Sequence, residues 1–392
     1  MKKMLLVGGG HADIPMILAA KELGYYVITS GNRPDTIGHK YSDEYQNVDF
    51  SDKEAVYELA KKLEVEAICS SCNDFSALSV AYAAEKLGLP GHDKYEISEI
   101  IHHKDKYREF AIKNGIDTPL AKGFDNEEEA VNNISDMRLP LIVKPVDMTG
   151  GKGISVIRDI KEVREAINKA FYVSKAKRVV VEEFIEGTRH GFSAFLYKGK
   201  IAFYFTDNEH YYLNQYMVSG ASSPSSVLKS AEEKLCKDSE IIAELLGLVD
   251  GIFHVQFILR DRKPIIIEIC RRPPGDLYVK LVKYATGVDY PSYIVKAEAG
   301  IDCGDLRYEE PKGYYLRHCI MSDREGIIKD VVYDESIKEN IIEDMVFWKK
   351  GDILKNKMTD KLAIVFLKFD NENEYKDKVE KINELIRINF QR

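Results

Sequence analysis

The chain has 392 residues, 45% of them hydrophobic, and a formal net charge of -8 with both signs interleaved. That length predicts two or three domains with substantial cores, and the charge argues against a general nucleic-acid binder. No apolar run approaches the roughly 20 residues of a membrane span, and the opening MKKMLLVGGG turns polar too soon for a signal peptide, so the expectation is a cytoplasmic protein without nucleic-acid or membrane partners.

The first hundred residues alternate strands, at 4–7, 26–30 and 67–70, with helices, at 12–23, 53–63 and 77–87. This alternation predicts a doubly wound parallel sheet, hence an α/β start. Its first turn, Gly8 to Asp13, lacks the third glycine of a dinucleotide fingerprint. It reads either as a structural tight turn or as a helix N-terminus facing an anionic substrate group. Cys69 and Cys72 form a CSSC at the end of the third strand, where small side chains explain them better than a redox dithiol; six scattered cysteines fit a reducing compartment. Asn73 and Asp74 follow at the carboxyl edge of the sheet, where they either border the active site or cap the next helix. His102 and His103 are adjacent, so on a helix they point in different directions, and no carboxylate is spaced in sequence to join them in a metal site.

A helix at 127–137 precedes LPLIVKPVDMTGGKG, residues 139–153. Lys144 ends a short apolar run between two prolines, so it is expected at a sheet edge, pointing into a cleft. Thr149, Gly150, Gly151, Lys152 and Gly153 supply backbone with few side chains, suited to phosphate oxygens. The alternative is a lysine-capped hairpin. A helix at 160–174 leads to VVVEEFIEG at 179–187, a buried strand entering a polar hinge. Between a strand at 201–206 and a helix at 231–246 lies DNEHYYLNQYMVSGASSPSS, read either as a long ordered loop in which Asp207, Glu209, His210 and Tyr212 are candidates for a polar, amine-bearing substrate, or as the ordinary packing of a β-extension. In HVQFILRDRKPIIIEICRRPPG, residues 254–275, two strands flank a turn and place Gln256 and Glu268 on neighbouring strands of one hairpin, two oxygen-bearing side chains able to hold magnesium. Strands at 314–320, 342–348 and 361–369 and a helix at 374–389 close the chain, with Arg317 and His318 as further candidates to face substrate.

In order and spacing, the VKP, the glycine loop, the EEFIEG hinge and the terminal EICRR resemble the ATP-grasp superfamily over roughly residues 100 to 300. The resemblance implies a Rossmann-like pre-ATP-grasp domain at 1–114, a two-lobed ATP-grasp domain at 115–300 and a small α+β lid domain at 301–392, like that of the biotin carboxylase branch. It implies ATP and Mg2+ as cofactors. Lys106, in the DK dipeptide, and Lys144 would contact the phosphates with Gly150, Gly151, Lys152 and Gly153. Glu182, Glu183, Phe184 and Ile185 would read adenine. The glutamate that many relatives use for the ribose is missing, which leaves His190 or Glu186 for that contact. Gln256 and Glu268 would hold the metal, although Cys270 replaces the usual asparagine and a thiol is a poor ligand for a hard cation. Arg272, with Lys144, would stabilise an acyl phosphate or oxyanion.

The chemistry implied is transfer of the ATP γ-phosphoryl to a small-molecule carboxylate, followed by attack of a small-molecule amine, in a monomer or homodimer. An amino-acid, dipeptide-type ligase is the leading expectation. Alternatives are a purine-pathway ligase or carboxylase resembling phosphoribosylglycinamide synthetase and, from another class, a non-catalytic nucleotide-binding sensor.

Overall fold

A computed structural model describes residues 2–134, 137–148 and 150–391. The first segment alternates as the sequence predicts: β1 (Lys3–Val7), α1 (Ile14–Glu22), β2 (Tyr26–Ser30), β3 (Glu44–Gln46), α2 (Lys53–Leu63), β4 (Ala67–Ser70) and α3 (Asp74–Leu87). The strands form one parallel sheet in the order β3-β2-β1-β4, with Leu5 beside both Ile28 and Ile68. Strands buried on both faces need the continuous apolar runs found here. α3 starts three residues before the expected Ala77, because the Asn73 side chain accepts from the Phe75 N–H at 2.9 Å and caps the helix there. Next come α4 (Tyr95–His102) and α5 (Lys104–Lys113), broken at His103, whose backbone is extended. This break makes Lys104 the first residue of a new helix.

β5 (Ala121–Phe124), α6 (Glu127–Asn133), β6 (Leu141–Pro145), β7 (Ser155–Ile157), α7 (Val163–Val173) and β8 (Val179–Glu183) build a second, antiparallel sheet in the order β5-β8-β6-β7. The helix expected at 127–137 is described only to Ile134, and its extension crosses residues outside the described set. Lys144 does not stand at the sheet edge. β6 is an interior strand, with Lys144 in register with Val180, since the apolar run of β8 gives it a partner on the side the prolines were expected to leave open.

β9 (Thr188–Tyr197), β10 (Lys200–Tyr211), β11 (Val218–Ser223), α8 (Lys229–Leu246), β12 (Gly251–Arg260) and β13 (Lys263–Cys270) follow, then α9 (Tyr278–Thr286), α10 (Tyr290–Glu298), β14 (Tyr314–Ile320), β15 (Gly326–Tyr333), α11 (Glu335–Lys338), β16 (Ile341–Val346), β17 (Ile353–Leu354), β18 (Ala363–Phe369), α12 (Glu372–Glu380), α13 (Ile382–Leu385) and β19 (Ile386–Phe390). An eight-stranded antiparallel sheet runs β13-β12-β9-β10-β11-β14-β18-β16, so strands after residue 300 continue the sheet that begins with β9.

Two expectations fail in this region for one reason, an alternation of side chains hidden by short polar residues. The long loop expected after Thr206 is a hairpin of β10 and β11, in which Asp207 and Glu209 share one face. The helix expected at 374–389 stops at Glu380; Ile386 and Ile388 are buried alternately and pair as a strand with β15. α1 packs against α10, and one apolar cluster that includes Ile17, Ile294, Val279 and Phe205 joins the parallel sheet to the large one. Burial of side chains of this size stabilises by about 1.5–3 kcal/mol each, which fixes the two layers as walls of a common cleft.

Candidate active site

The cleft holds two chambers that share Lys104, Ile154, Glu209, Tyr216, Gln256 and Glu268 in their walls. The first, about 120 Å3, lies between the four-stranded sheet and the β12–β13 hairpin. Ile142, Lys144, Phe184 and Ile185 line one side, and Phe257, Ile258 and Ile267 the other. Apolar faces around a few polar groups are the usual composition of a small-molecule site. At the hinge, the Glu183 N–H donates to the Leu120 carbonyl and the Phe184 N–H to that of Pro140, at 2.9 and 3.1 Å. The next amide, that of Ile185, has no partner among the described residues. The Glu183 side chain accepts from the Leu120 N–H at 3.0 Å.

Glu182 is wholly buried, and its carboxylate lies between Lys144 Nζ at 2.7 Å and Arg108 Nε at 2.9 Å. Burial alone would push this carboxyl up, but the two cations outweigh it and hold it below its usual range. Burial also pulls the Lys144 ammonium down, helped by Arg108 and Lys104 nearby. Expected as a direct reader of adenine, the Glu182 side chain is engaged instead by two cations.

With positive φ at Asp261 and Arg262 making the turn, the pairs from Arg260 with Lys263 to Phe257 with Ile266 would carry Gln256 opposite Ile267. A β-bulge between Gln256 and Phe257 shifts the register and places Gln256 directly beside Glu268. Gln256 Nε2 donates to Glu209 at 2.7 Å, and Glu268 Oε1 accepts from Lys104 at 3.3 Å. Both residues line both chambers, and the Gln256 carbonyl oxygen and Glu268 Oε2 have no hydrogen bond among the described residues. Oxygen donors of this kind fit a hard divalent cation. Cys270 is buried, with burial pushing its thiol well up, and stands with Asp74 and His102 in a group whose polar atoms lie within 4.8 Å of one another. The carboxylate that sequence spacing did not offer to His102 thus comes from Asp74, 28 residues earlier, at 3.0 Å. The same Asp74 oxygen accepts from Arg272 Nε at 2.9 Å. Burial would raise the Asp74 carboxyl, but Arg272 and His102 hold it well below its usual range. Asn73 and Asp74 therefore do both things weighed for them, capping α3 and lining the second chamber.

Three predicted positions stand apart. Lys106 pairs with Glu99 at 3.0 Å on the far side of α5; the lysine in the chambers is Lys104, since two residues along a helix rotate a side chain by about 200°. Lys152 is exposed, and Thr149 lies outside the described residues. His190 is buried beneath the sheet, with Nδ1 on the Asp207 carbonyl, Nε2 on Thr188 Oγ1 and its ring stacked on Phe257. Gly150 and Gly151 do line the second chamber, at φ of 67° and 77°. A side chain at Gly151 would meet Tyr216 Cβ at 2.7 Å, so glycine is needed where this turn seats on the β10–β11 hairpin. Asn214 there donates to the Gly150 carbonyl at 3.2 Å. Arg271, the neighbour of Arg272, has its side chain buried against Asp93 at 2.7 Å. Arg317 lines the second chamber, whereas His318, the next residue on the strand, faces the opposite side. At the first turn, Asp13 accepts from the Gly10 and Cys72 amides at 2.7 and 2.9 Å, so a carboxylate already takes the place of an anionic substrate group.

Sequence reasoning missed Lys104 and Arg108. Extended His103, which starts a new helix, is the signal that sets Lys104 into the cleft. A charge-assisted hydrogen bond from a lysine ammonium to a phosphate contributes about 1.5–3 kcal/mol, so Lys104→Ala is expected to lower ATP use about 10- to 100-fold. Lys106→Ala should leave it within about threefold, as an exposed ion pair is worth at most about 1 kcal/mol. Steady-state ATP kinetics of the two variants check this contrast.

Residues 103–276 match the family described as ATP-grasp domain. It is 25% identical over 309 residues to the carbamoyl phosphate synthase large chain of Campylobacter jejuni, an alignment covering 73% of this chain and 28% of that protein. The chain thus spans little more than a quarter of that relative. The solved phosphoribosylglycinamide synthetase of Anaerococcus prevotii superposes with a TM-score of 0.78 at 25% identity, covering 100% of both chains. The L-amino acid ligase of Bacillus licheniformis gives 0.80 at 19% identity, covering 100% of this chain and 99% of that one, a likeness of fold. Among the described residues, no helix is long and apolar enough to cross a membrane.

Proposed function

We propose that the protein is an ATP-dependent, ADP-forming ligase that joins a small-molecule carboxylate to an amine through an acyl phosphate. The observation that carries this reading is the convergence of Lys104, Lys144, Gln256 and Glu268 on one cleft between the hinge and the second chamber. Arg108 and Lys144 pair with Glu182, and Lys104 pairs with Glu268, so cationic donors stand along the cleft where a polyphosphate would lie.

In this reading adenine sits against Phe184 and Ile185, where the free Ile185 amide donates to it. Lys144 and Lys104 hold the phosphates. Gln256 and Glu268 hold Mg2+, which when bound neutralises charge on the transferring phosphoryl group. Arg272, fixed by Asp74, faces the carboxylate being activated and stabilises the charge that develops there. The turn at Gly150 and Gly151, seated on the β10–β11 hairpin, keeps water from the acyl phosphate. The purine-pathway reading is weakened at the first turn, where Asp13 would repel a ribose phosphate.

The test is Mg2+-dependent ADP release by the full chain, with and without a pool of amino acids. Release that requires the pool supports an amino-acid ligase. Release only with a ribonucleotide transfers the reading to a purine-type substrate, and ATP binding without turnover under any of these conditions overturns the ligase in favour of a sensor.

A further inference from the structure

The second chamber, about 300 Å3, opens beyond Gln256 and Glu268 over the face of the eight-stranded sheet. Strand register arranges its floor in rows. Gln256, Gly191 and Asp207 form one, and Glu209, Ala221 and Arg317 lie across the next. Gly191 and Ala221 leave hollows in these rows; a side chain at Gly191 would collide with the Asp207 carboxylate. Ala221 sets the strand of Glu209 two spacings, about 9.5 Å, from that of Arg317.

Both ends carry buried charge with unmet bonding capacity. Asp207 is 0% exposed and Arg317 2%. Asp207 Oδ1 accepts from the Tyr278 hydroxyl, but Oδ2 has no partner among the described residues. Arg317 reaches Asp276 at 3.5 Å through Nη1, while its Nε likewise has none. The donors on Asp207 and Glu209 are neutral, from Tyr278, Tyr211 and Gln256, so this end is negative. At the other end Arg317 and Lys361 share one carboxylate, Asp276, so it is positive. Burial and the neighbouring Glu209 push the Asp207 carboxyl up to about 7, the cost of a charge without a counterion. Opposite charges held apart in one buried cavity, each with an unfilled bonding position, suit a ligand that bridges them.

Resting on the ligase reading above, we propose that this chamber binds an α-amino acid as its zwitterion, ammonium on Asp207 and Glu209 and carboxylate on Arg317, as the amine partner of the ligation. The orientation follows from strand order. Glu268 and Gln256 are on β13 and β12, Asp207 is on β10, and Arg317 is on β14. The amine therefore lies nearer the metal-binding pair, where the acyl phosphate forms. The ammonium gives a proton to the unpartnered oxygen of Asp207, the freed amine bonds to the acyl carbon as the bond from that carbon to the phosphate oxygen breaks, and inorganic phosphate leaves. The amino acid's own carboxylate is held away and is not activated. Met217 and Val218 give the amino-acid side chain an apolar wall.

The experiment supplies each of the twenty amino acids in turn, and their Nα-acetyl and carboxamide derivatives, to the full chain with ATP, Mg2+ and a panel of simple carboxylic acids, reading ADP release. An amino acid that stimulates release is expected to lose the effect on Nα-acetylation and to need about tenfold or more concentration as its carboxamide, a loss of about 1.4 kcal/mol. Asp207→Asn and Arg317→Lys should raise its KM by at least about tenfold while the KM for ATP stays within about twofold. Derivatives as effective as the parent, or variants with unmoved KM, would overturn the proposal. Release driven by amines that lack a carboxylate overturns the zwitterion and leaves the ligase standing; no release with any member of the panel, while ATP binds, overturns both. Should Arg317→Lys fail to fold, the near-isosteric Asp207→Asn carries the test, with its melting temperature as the control.

Discussion

Glu268→Ala is expected to lower Mg2+-dependent ADP release by about 1000-fold or more, with the protein still folded. Two consequences of the substitution add. It removes the one carboxylate of the metal pair, leaving only the amide oxygen of Gln256 for a cation whose charge stabilisation is worth several kcal/mol, or roughly three decades in rate at 1.4 kcal/mol per decade. It also frees Lys104, whose ammonium now contacts Glu268 at 3.3 Å, to bind phosphate without a metal between. Nucleotide binding should therefore survive better than turnover, and the Mg2+ concentration for half-maximal activity should rise. The Glu268 side chain is 22% exposed, at the mouth of the chambers, so little packing is lost. Near-normal turnover at ordinary Mg2+ would remove its metal role.

That residue was legible in the sequence because its evidence is local. Gln256 and Glu268 belong to one hairpin, and two apolar runs on either side of a short turn put them on neighbouring strands; the bulge between Gln256 and Phe257 that sets them opposite each other left no mark in the pattern. The parallel sheet of the first segment was legible for the same reason, its apolar runs being bounded by clear turn residues. What the sequence left open was long-range. Arg108 meets Glu182 across 74 positions, and Asp74 meets Arg272 across 198, so no spacing rule connects them. Lys104 and Lys106 differ by two residues within one basic stretch, and only the extended backbone of His103 decides which enters the cleft. The β10–β11 hairpin was hidden because Asp207, Glu209 and Ala221 are polar or small on the face that lines the second chamber, and Asn208, His210, Gly220 and Ser222 are polar or small on the other. A strand facing a binding site does not need an apolar face, so the alternation used to recognise strands is absent where function is greatest.

The same long-range network leads to a stability prediction. Glu182→Gln is expected to destabilise the fold by about 3–5 kcal/mol at neutral pH, because it leaves Arg108 and Lys144 buried around a neutral amide. Arg108 retains the Ile267 carbonyl at 2.6 Å, but a carbonyl dipole does not replace a counterion. The pH dependence has a definite sign. The Glu182 carboxyl is held below its unfolded value by the two cations against the effect of burial, so its contribution is fully present above the unfolded glutamate pKa and is lost as pH falls through the folded one. The parent chain should lose this increment on acidification below about pH 4.5, while Glu182→Gln, already without it, should show a shallower acid limb there. Urea unfolding at pH 7 and along a series down to pH 3 measures both. A polyphosphate gives the discriminating result. If Lys144 faces the phosphate site, inorganic triphosphate should restore more stability to Glu182→Gln than it adds to the parent, since in the variant it meets cations that have lost their carboxylate. Equal stabilisation of the two chains would mean that the ion pair is structural only, and that Lys144 does not reach the nucleotide.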